Sequence, residues 1–161
     1  MRFIGWLIAL CLMATSSGCA PGIPGTMRSQ ATYHGTFSEL QAAPDEFLGQ
    51  VVLLGGEIIR TRGSEITVLQ LPLDGRGRPK VTDLSRGRYL VVSSQFLDPA
   101  IYSEGTFITV LGKVTGKVLR PIGEYDYAYP EVKAMEMTIW PKSDIYGPSF
   151  QFGIGFGTWF Q

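Results

Sequence analysis

Apolar positions in this chain fall into short runs that alternate with polar positions, and glycine or proline punctuates the gaps between them. That period suits strands better than helices. Five runs qualify. Val51 to Arg60, VVLLGGEIIR, is aliphatic and β-branched, interrupted by Gly55-Gly56, and glycine inside a strand marks a bulge or a tight coil. A strand bent sharply at its middle can serve two sides of a small barrel. After an Arg62-Gly63-Ser64 turn, Glu65 to Leu73 makes the second run, with Pro72 placing its end on an edge or bulge. Asp74 to Gly87 reads as a polar loop, and Arg88 to Ser93 as the third strand. Thr106 to Val118 has the clearest alternation: Ile108, Val110, Gly112, Val114, Gly116 and Val118 on one face, Thr109, Lys113, Thr115 and Lys117 on the other. Leu119 to Pro130 reads as a loop carrying three tyrosines, and Glu131 to Trp140 is the last strand, closed by Pro141.

Two further stretches punctuate the strands. Ser38 to Leu48 suits a short helix or two turns, with Pro44, Asp45 and Glu46 fitting a helical first turn and Phe47 and Leu48 packing down on the body. Asp98-Pro99 signals a brief helical turn whose apolar side, Phe96, Leu97, Ile101 and Tyr102, would plug an open barrel end. The pattern therefore predicts an all-β domain over residues 37–142, a small five-stranded OB-fold-like barrel with a short capping turn. A small open sandwich is the alternative. Residues 143–161 form an aromatic and glycine-rich tail, read as loosely attached; an extra edge strand or a segment at the membrane interface are the other readings.

The N-terminus has a different pattern. Arg2 precedes an uncharged, mostly apolar run, Phe3 to Ala14, and Ser16, Ser17 and Gly18 lead to Cys19. A basic start, an apolar middle of roughly 7–15 residues and a small-residue cleavage site make a secretory signal. The run falls short of the ~20 residues that a membrane-crossing helix needs. Ending on Gly-Cys, it resembles a bacterial lipoprotein signal, although Ser16 stands where that pattern usually has an aliphatic residue. The resemblance implies that residues 1–18 are removed and that Cys19 is acylated; an ordinary secreted protein cut near Ala14 or Gly18 is the alternative. Cys11 leaves with the signal, so Cys19 would otherwise be an unpaired thiol in an exported protein. Two or more acyl chains hold a protein stably on a membrane where one does not. Ala20 in place of aspartate implies sorting to the outer membrane. Residues 19–36, rich in Gly, Pro, Ser and Thr, read as a lipidated N-terminus and flexible tether.

Composition narrows the function. Without the signal, 143 of the 161 residues remain, with 13 basic against 14 acidic side chains because Arg2 is gone. One domain is expected, and near-neutral charge argues against nucleic acid as a partner. His34 is the only histidine and lies in the expected tether, so neither a serine triad nor a histidine metal site is supported. The carboxylates are scattered, and no phosphate-binding glycine loop stands between a strand and a helix. The expectation is a non-enzymatic protein with no cofactor and no metal. If the barrel is OB-like, ligands would lie on strands two and three and on the loops joining strands 1–2 and 4–5. Arg60 and Arg62 fall on the first of those loops, and Tyr125, Tyr127 and Tyr129 on the second. Rings beside guanidinium groups can stack on sugars. The blander reading, preferred here because aromatics dominate small cores, has the tyrosines roofing the barrel and the arginines solvated.

Taken in order, FLGQVVLLGGEII at 47–59, LPLDGRGRP at 71–79, GRYLV at 87–91, SQFLDPAIYSEG at 94–105, FITVLGKVTG at 107–116 and YAYPEV through IW up to 140 resemble the Slp family of outer-membrane lipoproteins. The resemblance covers about residues 44–141 and the Cys19 signal. It implies a protein anchored by N-terminal acyl chains to the outer membrane of a Gram-negative bacterium, facing the periplasm, associated with starvation or acid stress and without established enzymatic activity. The expected role is structural or stress-related, in contact with other envelope proteins; the alternative is a binding module for a glycan, a peptidoglycan fragment or a partner protein. Cys19→Ala is expected to leave an uncleaved precursor that takes up no palmitate in metabolic labelling. A labelled variant would remove the anchor from this reading.

Overall fold

The computed structural model describes residues 22–83 and 85–146; the signal segment, Cys19 and the tail beyond Tyr146 lie outside the described residues. Five strands, β1 (Val51–Arg62), β2 (Glu65–Leu71), β3 (Arg88–Val92), β4 (Phe107–Ile122) and β5 (Tyr125–Trp140), form one sheet that closes in a ring in the order β1-β2-β3-β5-β4. All neighbours are antiparallel except β3 and β5, which run parallel. β1 makes the closure. Val51 to Glu57 pair with β4, while Gly55 to Arg62 pair with β2, so Gly55, Gly56 and Glu57 are flanked on both sides. A Cβ on Gly56 would stand 2.2 Å from the Leu69 carbonyl oxygen, and one on Gly112 of β4 would stand 2.6 Å from that of Lys133. Glycine at these two positions lets neighbouring backbones approach as the ring requires.

Alternation fills the ring. Val52, Leu54 and Ile58 of β1 meet Ile66 and Val68 of β2, Tyr89 and Val91 of β3, and Ile108 and Val110 of β4 in one core. Phe37 and Leu40 of the helix α2 (Phe37–Ala42) join this core. Thr36 caps α2 reciprocally with Glu39: the Glu39 amide donates to Thr36 Oγ1 at 3.3 Å and the Thr36 amide to Glu39 Oε2 at 2.7 Å. A 3₁₀ turn, Pro44–Phe47, follows as its proline and acids suggested; Phe47 packs edge-on against Tyr33, but Leu48 is exposed.

The structure departs from the sequence reading in four places. Residues 119–130 are not a loop: β4 and β5 continue as a hairpin joined by Gly123 and Glu124 alone, with Ile122 opposite Tyr125. Gly123, at φ 62°, stands first in a two-residue loop, where a type II′ turn needs positive φ. Pro121 and Pro130 obscured this in the sequence; they are tolerated where the hairpin extends beyond the ring and its outer edges need no partner. Second, the register slip in β1 falls between Ile58 and Arg60, not at Gly55-Gly56. Third, of the four apolar residues expected to plug the ring, Leu97 is buried and Tyr102 packs on the core, whereas Phe96 and Ile101 are 72% and 57% exposed. The Asp98 turn is too short to turn all four inward.

Fourth, the segment expected to be tether is packed from Gly22 onward. It carries the short helix α1 (Gly25–Ser29), whose Met27 is fully buried. Ile23 packs with Leu71, Phe107, Trp140 and Ile145 of α3 (Lys142–Tyr146) in a second, smaller core. The Thr32 and Tyr33 amides both donate to the Val51 carbonyl. This layer also explains Thr109, which belongs to the expected polar face yet is fully buried. Trp140 Nε1 donates to Thr109 Oγ1 at 2.9 Å, and that hydroxyl donates to the Gly77 carbonyl at 2.6 Å. The 74–78 turn is thereby fastened to β4.

Thr109→Val keeps the shape but leaves the buried Trp140 N–H without an acceptor, so a loss of about 1–3 kcal/mol is expected in urea unfolding, with Thr109→Ser largely retaining stability. Gly112→Val should lower the melting temperature more than Gly55→Val. At Gly112 the added atoms meet a backbone carbonyl, while at Gly55 the closest atom, at 2.2 Å, is the movable end of Leu73. Equal melting of both variants with wild type would contradict the close strand approach.

Candidate functional site: an arginine-lined groove

Alternation along β1 puts Val52, Leu54 and Ile58 inside the ring, and unbroken it would send Arg60 and Arg62 inside as well. The extra residue between Ile58 and Arg60 reverses the phase. Arg60 then pairs with Thr67 and Arg62 with Glu65, and both arginines are exposed. Thr61 turns the other way and its hydroxyl donates to the Tyr102 carbonyl. The two-residue turn at Gly63 (φ 63°) and Ser64 brings the chain back along β2, where Ile66 and Val68 face the core and Glu65 and Thr67 the outer surface.

Over this outer surface lies the β4–β5 hairpin. Two attachments hold it beside the groove. Arg120 forms a forked ion pair with Glu65, Nη2 to Oε2 at 2.7 Å and Nη1 to Oε1. Hydrogen bonding to Glu65 also raises the pKa of the Arg120 guanidinium. The Tyr127 hydroxyl accepts from the Arg88 amide at 2.7 Å and from Gln41 Nε2, so it ties β5 to β3 and to α2. Between hairpin and sheet runs a groove of about 510 Å³. Arg60, Arg62, Glu65, Thr67, Arg88 and Arg120 supply its polar lining, and Ile59, Pro121, Ile122 and Tyr129 its apolar lining.

The structure thus brings together three of the five residues suggested from sequence: Arg60, Arg62 and Tyr129. Tyr127 is not a lining residue; it stacks edge-on against Tyr129, with centroids 4.7 Å apart, and serves as the hairpin's fastening. Tyr125, at the hairpin tip, is 82% exposed. All three lie on a strand and not on a loop. Glu65, Thr67, Arg88 and Arg120 were missed. Alternation of Val118, Arg120 and Ile122 against Tyr125, Tyr127 and Tyr129 about Gly123 was the available signal.

Four guanidinium groups against one carboxylate give the lining an excess of three positive charges, in a chain whose formal net charge is zero. Arg120 is paired; the guanidinium groups of Arg60, Arg62 and Arg88 make no ion pair or hydrogen bond among the described residues. Among the described residues the lining holds no histidine and no cysteine, and His34 is exposed outside it. Such a site can bind and orient an anionic group but offers no nucleophile with an adjacent base.

The chain matches the model of the outer membrane lipoprotein Slp family over residues 17–159. It is 28% identical over 151 residues to the outer membrane protein Slp of Escherichia coli K12, covering 91% of this chain and 79% of that protein. It is 29% identical over 117 residues to the uncharacterized lipoprotein YeaY of the same organism, covering 70% of this chain and 60% of that protein. An uncharacterized protein of Haemophilus influenzae is 35% identical over 102 residues, 60% of this chain and 55% of that protein.

The two fastenings of the hairpin should differ in strength. Arg120 and Glu65 are 43% and 23% exposed, so Glu65→Gln is expected to change unfolding free energy by less than about 1 kcal/mol. Tyr127→Phe leaves the part-buried Arg88 amide without its acceptor and should cost about 1–3 kcal/mol. Denaturant unfolding of the two variants side by side checks the order, and a larger loss for Glu65→Gln would reverse it.

Proposed function

The chain belongs to the outer membrane lipoprotein Slp family, and from that membership we propose that it is a non-enzymatic binding module, held on the periplasmic side of the outer membrane by acyl chains on Cys19. The ring order β1-β2-β3-β5-β4, with its parallel β3–β5 pair, supports an OB-fold-like barrel. The single observation that carries the binding role is the position of the groove. It lies on the outer face of β2 and β3 between the β1–β2 turn and the β4–β5 hairpin, where barrels of that type take their ligands. Its lining favours an envelope ligand such as a glycan or a peptidoglycan fragment over a reacting substrate. A structural or stress-related role in contact with other envelope proteins is a second reading, favoured by the outward-facing Phe96 and Ile101.

Titration of a digest of peptidoglycan into the detergent-solubilised protein, followed by tyrosine-selective NMR, tests the first reading. Signals of Tyr129 should move while those of the exposed Tyr125 stay in place. If no fragment moves Tyr129, and crosslinking at Phe96 in intact cells captures one defined envelope protein, the second reading replaces it.

A further inference from the structure

We infer that the groove receives a ligand bearing at least two oxyanion groups, phosphate or carboxylate, on a scaffold with an apolar face. This rests on the binding-module reading and specifies what that module binds.

Charge placement is the first argument. The chain as a whole is neutral, and its described ion pairs match Arg78 with Asp74, Lys117 with Asp45 and Arg120 with Glu65. Among the described residues, Arg60, Arg62 and Arg88 are left unmatched on one concave surface. Like charges gathered in a groove repel one another unless an anion sits among them. Glu65, the only carboxylate in the lining among the described residues, is already engaged in a fork with Arg120 and does not serve the other three.

The second argument is chemical type. Among the described residues, every cation of the lining is arginine and none is lysine. A guanidinium presents a planar fork that matches carboxylate and phosphate oxygens two at a time. The Arg120–Glu65 pair already shows one such fork filled by a carboxylate at this site.

Spacing sets the number of groups. Arg60 and Arg62 stand two residues apart on one strand, about 7 Å between Cα atoms, and Arg88 lies on β3, across β2, about 10 Å from β1. Two separate oxyanions answer that spread better than one. Pro121, Ile122 and Tyr129 supply the surface on which the body of a sugar ring can rest.

Calorimetric titration of the full-length protein in neutral detergent, with three probes, tests the inference: glucose 1,6-bisphosphate, trigalacturonate and the neutral cellotriose. At least one charged probe should bind at least about tenfold more tightly than cellotriose, and weaken severalfold between about 20 and about 200 mM salt. Arg60→Gln with Arg62→Gln should weaken it about a hundredfold, taking a tenfold effect for each charge-assisted contact. Arg76→Gln, an exposed side chain of the 74–78 turn outside the lining, should leave it unchanged, and melting curves should show the double variant folded. Binding of the bisphosphate alone assigns a phosphorylated ligand, of trigalacturonate alone a carboxylated one, and of both the shared chemistry. Cellotriose binding as tightly as the charged probes, with the arginine variants unaffected, would overturn the oxyanion inference and leave the binding module standing. Heat from none of the three, together with an unmoved Tyr129 in the peptidoglycan titration, would overturn both.

Discussion

Closure of the sheet depends on a strand that serves two neighbours at once. β1 pairs with β4 along its first half and with β2 along its second, and the hand-over occurs at Gly55, Gly56 and Glu57. At such a point both flanking backbones press in, and the space a side chain would fill is occupied by the Leu69 carbonyl. Removing the side chain is the physical solution, and the same device recurs at Gly112, where β4 approaches Lys133 of β5. Once the ring closes, alternation along each strand fills it, and the two faces of every strand acquire different fates.

The groove follows from breaking that alternation once. A single inserted residue near Ile59 turns the end of β1 over, so a strand that begins as core ends as a surface bearing two guanidinium groups. Hairpin β4–β5, longer than the ring needs, folds back to roof this surface and adds a third wall. Its attachment beside the groove is divided between a forked ion pair at Arg120 and a doubly accepting phenol at Tyr127. The partly exposed ion pair contributes little to stability by itself, which leaves Tyr127 as the more consequential tie. Site and scaffold thus share residues: moving the hairpin would open the groove.

A second layer lies outside the ring. Ile23 and the 74–78 turn cover the outer face of β4, Met27 lies against Thr138 of β5, and the buried chain from Trp140 through Thr109 to Gly77 satisfies the polar groups that this covering removes from water. The Ile23 amide donates to the Arg76 carbonyl at 3.0 Å. If Cys19 carries the acyl chains as proposed, two residues, Ala20 and Pro21, separate the anchor from Gly22, so three Cα steps give a reach of at most about 10 Å. The body would be held close to the membrane by its packed N-terminal layer, in place of the long leash that composition alone suggests.

Several features were legible from residue order because their causes are local. Strand alternation in the five runs between Val51 and Trp140, the glycines at the close strand approaches and the proline-led turn at Pro44 each depend on neighbours within a few positions. The family resemblance was likewise readable from the order of short segments. What remained hidden depends on contacts distant in sequence. Thr109 reads as polar surface until Trp140 and Gly77, both about 31 or 32 residues away, enclose it. Residues 22–36 show no period because they are held by single anchors, Ile23 and Met27, and not by a repeating face. Arg88 and Arg120 acquire meaning only when β2, β3 and the hairpin converge, and the bulge that aims Arg60 and Arg62 outward has no marker residue of its own. Local periodicity determines which segments become strands; only ring closure determines which charges end up facing one another, because that depends on a register slip one residue long.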